Sequence, residues 1–114
     1  MNFELEKKWR DLVSEISVNF DEKLDLQSII FLIGLQELNL GYQKLKKDQK
    51  IEVMHIAICT LLEPYGYYEF MGKDDDGWPH FTNINPIPQL NETEQEELIK
   101  EAIIDYFLRS ARPL

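Results

Sequence analysis

Glu52-Val53-Met54-His55 is a Glu-x-x-His. On a helix that spacing sets a carboxylate and an imidazole on one face, as in di-iron carboxylate bundles. Cys59 follows His55 by four residues and adds a soft ligand, and His80 offers a fourth. Glu52, His55, Cys59 and His80 together have the donor types of a zinc enzyme or metal sensor. A di-iron site, however, needs a second Glu-x-x-His and two further inward glutamates, and the chain has one copy of the motif. Nothing in the spacing brings His80 to the helix face. The plainer reading, the solvent edge of a core helix, outweighs the metal because the ligand set is incomplete.

Two other stretches invite chemistry. Asp74-Asp75-Asp76-Gly77 has the carboxylates of a calcium loop, but the twelfth position counted from Asp74 is Asn85 rather than the glutamate an EF-hand needs. Tight-turn chemistry explains it better. Cys59 beside His55 resembles a nucleophile pair, yet an activated thiol wants a cationic or helix-N-terminal setting. Cys59 instead lies late in its helix near Glu52 and Glu63, which predicts a raised pKa and a structural role. The chain has no Ser-His-Asp order, Gly-rich phosphate loop or dinucleotide fingerprint, so no cofactor is expected.

The elements that would position these residues are four helices and one hairpin. Leu5, Trp9, Leu12, Val13 and Ile16 recur at three and four and predict a first helix from Phe3 to Val18. The second, Leu26 to Asn39, starts at the cap Asp25 and stops near Gly41. It is apolar nearly all round, the pattern of a central helix. The third runs from Gln49 to Leu62 with Asp48 as its cap, and Pro64 ends it. Ile51, Met54, Ala57, Ile58, Leu61 and Leu62 form its expected core face. The fourth runs from Thr93 to Arg109, with Leu98, Ile99, Ala102, Ile103, Tyr106 and Phe107 inward. Thr93 with Glu96 fits a capping box, as does Asn91 with Glu94.

Between the third and fourth helices, two aromatic-rich runs flank the Asp74–Gly77 turn. Alternation puts Tyr68, Phe70, Phe81 and Asn83 on one face, with Tyr68, Phe70 and Phe81 as its core. Tyr67, Glu69, Met71, Trp78, His80 and Thr82 take the other. A four-residue turn pairs Phe70 with Phe81 and sets Lys73 opposite Trp78, within cation–π reach. Pro79 lacks a ladder donor, so its amide position should face outward on an edge. An isolated hairpin is marginal in water, so one face must pack on the helices. The other face mixes aromatic and charged groups in the manner of binding hot spots, which makes Tyr67, Glu69, Trp78 and His80 candidate partner-binding residues.

The fold class is therefore α+β: a mostly helical single domain over residues 1–114, with the antiparallel hairpin between helices three and four. The net charge of −9 opposes binding to nucleic-acid phosphates or anionic lipid. One cysteine excludes an internal disulfide. The charged start MNFELEKKWR lacks the apolar core of a signal peptide, and the longest apolar run is far too short for a membrane span. A cytoplasmic protein is expected. Glu94, Glu97, Glu101 and Asp105 form an acidic helix ridge, and Lys44, Lys46, Lys47 and Lys50 a basic cluster. Charges of this kind are usually solvated faces and stabilise little individually.

The stretches MHIAICTLLEPYGYYEF, DDDGWPHF and IIDYF resemble a small uncharacterised family of bacterial cytosolic proteins. The resemblance implies a bacterial source and a compact fold, and it brings no activity, cofactor or site residue. The leading expectation is a non-catalytic interaction protein with a protein partner or a second copy of itself. The alternatives are a metal-dependent enzyme or sensor on Glu52, His55, Cys59 and His80, and an acidic inhibitor of a basic toxin or nucleic-acid-binding protein.

Overall fold

Apolar side chains at helical spacing need a partner surface, and the first and last helices provide it for each other. The computed structural model describes residues 3–18, 20, 23–38, 46–75 and 77–110. Its elements are α1 (Phe3–Ser17), α2 (Leu26–Glu37), α3 (Lys47–Leu62), a 3-10 turn (Glu63–Tyr65), β1 (Tyr68–Lys73), β2 (Pro79–Asn83) and α4 (Glu92–Ser110). This is the α+β arrangement of four helices with an antiparallel hairpin between the third and fourth. The contacts divide the chain into two compact units, Met1–Ile29 with Gln89–Leu114, and Ile30–Pro88.

In the first unit α1 packs against α4. Leu5, Trp9, Val13 and Ile16 are buried on α1, and Ala102, Ile103 and Tyr106 on α4. Lys100 is buried as well, and its Nζ donates to Glu6 Oε1 and Oε2 at 3.2 and 3.3 Å. The same ammonium lies 5.6 Å from the Trp9 ring centroid. A buried cation is tolerated because it is paired and faces an aromatic ring. Asp25 caps α2 through the Ser28 amide at 2.8 Å, and this hydrogen bond holds its carboxyl below the ordinary range. At α4 the Asn91–Glu94 box forms: Glu94 N–H donates to Asn91 Oδ1 at 2.8 Å and Asn91 N–H to Glu94 Oε1 at 3.1 Å. The helix accordingly starts at Glu92, one residue before the expected Thr93. The expected stop of α2 near Gly41 and the basic residue Lys44 lie outside the described residues.

In the second unit α2 and α3 approach closely at Gly34. A Cβ there would overlap the Val53 carbonyl oxygen and stand 2.6 Å from Val53 Cγ1. Only glycine fits at that distance. Ile33, Val53, Ala57, Cys59 and Leu61 have no exposed surface. The start of α3 is two residues earlier than expected, and its cap is Lys46, whose N–H donates to Gln49 Oε1 at 2.9 Å, rather than Asp48. The core face of α3 also differs. Ile51 is 60% exposed, Met54 and Ile58 are half-buried, and Val53, Ile56 and Cys59 take the interior. Apolar side chains encircle so much of this helix that spacing did not single out one stripe.

The hairpin pairs Tyr68 with Asn83, Glu69 with Thr82 and Phe70 with Phe81, then slips. Met71 is the extra residue of a bulge, and beyond it Gly72 faces His80 and Lys73 faces Pro79. Lys73 therefore does not oppose Trp78, and the expected contact between them is replaced by a turn in which Asp74 N–H donates to the Trp78 carbonyl at 3.0 Å. Gly72 next to the bulge has φ 107°, which a side-chain-bearing residue rarely adopts. Glu63 Oε2 accepts from the Phe70 N–H at 3.1 Å, so the turn after α3 is tied to the free edge of β1.

Candidate functional site

The second unit carries a groove of about 320 Å3 between the first half of α3 and the start of β2. From α3 come Ile51, Glu52, His55 and Ile56, and from the hairpin Trp78, Pro79, His80 and Phe81. Positions 51, 52, 55 and 56 share a helix face by their spacing. The four hairpin residues are consecutive, Trp78 leading into β2 and the other three opening it.

Asp74 holds the β2 start in place. Its Oδ1 accepts from the Trp78 N–H at 2.9 Å, and its Oδ2 lies 2.9 Å from His80 Nε2. The Gly77 N–H donates to the Asp74 carbonyl at 2.9 Å. The aspartate thus orders the turn through its own side chain, the tight-turn chemistry its composition suggested. Pro79 is buried, although its nitrogen occupies a non-hydrogen-bonded position next to the closing Asp74–Trp78 pair. The amide face of the expectation is consistent with this register, and the ring is spent on packing.

The hairpin face expected as core is only partly buried. Tyr68 and Phe81 are half-buried, while Phe70 is 46% exposed and stacks on Phe81 at 5.5 Å between ring centroids. Tyr68 instead meets His55 edge-on at 6.5 Å. The four candidate partner-binding residues separate. Trp78, half-buried, and His80, exposed, line the groove; Tyr67 and Glu69 do not. Ile51 and Glu52 complete the groove, and sequence had assigned Ile51 to the core.

The donor set of the metal reading is divided. Cys59 Sγ lies 3.5 Å from His55 Nε2, and Glu52, His55 and His80 line the groove, but His80 is engaged by Asp74. Among the described residues no three His, Cys, Asp or Glu side chains come together as a metal-binding group. Cys59 has no exposed surface, and burial pushes its thiol up to about 11. The direction matches the sequence expectation, but its cause is burial rather than the neighbouring glutamates. A thiol this protonated is a poor nucleophile at neutral pH. The Tyr68 hydroxyl is raised too, by burial first and then by Cys59.

Among the described residues no helix is long and apolar enough to cross a membrane. No family model, curated protein or solved structure matches the chain.

Proposed function

We propose that the chain is a non-catalytic protein-interaction module of the bacterial cytoplasm that engages its partner through the groove between α3 and β2. The observation that supports this best is the exposure of Ile51, at 60%, beside the half-buried Trp78. Tryptophan is enriched at interface hot spots, where a central aromatic is ringed by groups that exclude water. Glu52, His55 and His80 supply the polar rim that orients a partner. Phe70, 46% exposed, packs its ring against the groove-lining Phe81. The buried, protonated Cys59 offers no nucleophile for an enzymatic reading.

Trp78→Ala tests this reading. Its amide hydrogen bond to Asp74 comes from the backbone, so the turn should persist. Capture of a partner from lysate, then remeasured with both proteins purified, should weaken at least about tenfold in the variant. Undiminished binding by a folded variant would remove the groove from the interface. The net charge of −9 favours a basic partner, in keeping with an inhibitor that masks a cationic surface.

A further inference from the structure

We propose that the groove between α3 and β2 takes the side chain of an arginine presented by a basic partner segment. The proposal rests on the interaction reading above and names the chemistry of the contact. Among the described residues lining the groove, Glu52 is the one with a formal charge when the histidines are neutral, so that lining is anionic. Besides Glu52 and the two imidazoles of His55 and His80, its lining is apolar or aromatic. Ile51, 60% exposed, offers surface to an aliphatic stem, and the half-buried Trp78 supplies an aromatic ring for a cation. A long stem ending in a positive charge matches that sequence of surfaces.

Arginine fits better than lysine. The guanidinium is planar, stacks on indole and presents paired donors to a carboxylate such as that of Glu52. It is also more weakly hydrated than an ammonium, so it loses less on leaving water. The cations of the α3 start, Lys46, Lys47 and Lys50, are exposed and do not line the groove. Asp74, bonded to the hairpin side of the lining, already serves the Trp78 amide and His80 with its two oxygens. Among the described residues that line the groove, recognition of the charge falls to Glu52. The net charge of −9 attracts a basic segment to the chain as a whole.

The test is an NMR titration of the full chain with Nα-acetyl-arginine methylamide and, separately, with its neutral isostere Nα-acetyl-citrulline methylamide. The arginine probe should shift the Trp78 indole N–H and the His80 and Phe81 amides in a saturable way. Citrulline should bind roughly fivefold or more weakly, since it keeps the shape and loses the charge. Glu52→Gln, at an exposed position, should fold normally and erase the preference. Equal shifts from both probes, a preference that survives Glu52→Gln, or shifts confined to the acidic ridge of α4 would each overturn the proposal. So would concentration-dependent shifts of Trp78 without any probe, which mark a second copy of the chain as the occupant. A partner whose capture depends on Trp78 but not on Glu52 overturns the arginine and leaves the interaction reading standing. A partner indifferent to Trp78 overturns the interaction reading itself.

Discussion

At the residue scale, Cys59 shows how burial decides chemistry. The same thiol next to the same imidazole would be a candidate nucleophile at the surface, and in the interior of α3 it is held protonated. Its pKa rises from 9.0 to about 11, so the folded state keeps a proton that the unfolded state releases. Stability is then fully present below pH ~9 and falls as pH rises through 11. The loss from Cys59 alone is at most about 3 kcal/mol, and Tyr68, shifted the same way, adds to it. Urea unfolding at about pH 8 and pH 10.5 should show this decline, and Cys59→Ala should flatten part of it. In the native protein at pH 8, alkylation of Cys59 should be limited by unfolding. The burial behind all of this was not visible in the sequence, where Cys59 fell on the polar edge with Glu52, His55 and Glu63.

At the element scale, the contact between α2 and α3 depends on one missing side chain. In sequence Gly34 is an isolated glycine within an apolar run, with no phosphate-loop partners to explain it. In the fold it is the place where the Val53 backbone needs the space. Gly34→Ala improves intrinsic helix propensity by about 1 kcal/mol, but the clash is with backbone and cannot be relieved by a rotamer change. Overpacking of this kind costs about 1–3 kcal/mol, so the variant should be less stable by chemical denaturation. A more stable variant would mean that the two helices separate at little cost. The hairpin teaches the complementary lesson. Its existence and its Phe70–Phe81 pair follow from aromatic runs around an Asp-Gly turn, whereas the bulge at Met71 moves Lys73 away from Trp78. A single inserted residue reverses the facing of everything beyond it.

At the scale of the whole molecule, charge is the dominant property. Twenty-one acidic residues stand against twelve basic ones, and much of the excess lies on exposed carboxylates such as Glu94 and Glu101. Such a chain repels itself when folded, and salt screens that repulsion over about 10 Å at 0.1 M. The urea midpoint should therefore rise as NaCl increases from about 20 to 200 mM, by an amount equivalent to at most ~1 kcal/mol. A falling midpoint would show that ion pairs such as Glu6–Lys100 outweigh the net repulsion. Any complex with a basic partner should respond oppositely and weaken with salt.

Helical periodicity, caps and turn chemistry act over a few residues, so the sequence alone determined the four helices, the hairpin and the acidic character. The helix ends moved by a residue or two because alternative caps lay side by side, as with Asn91–Glu94 and Thr93–Glu96. What only the tertiary structure decided is which apolar residues stay in water. Ile51 and Val53 are equally hydrophobic neighbours on α3, yet one is 60% exposed and the other fully buried. Packing of α2 on one side of α3 and the hairpin on another chose between them. That choice placed Glu52 and His55 in the lining of a groove that Trp78 and His80 also line. Contacts between residues far apart in sequence have no local pattern, and the groove consists of such contacts.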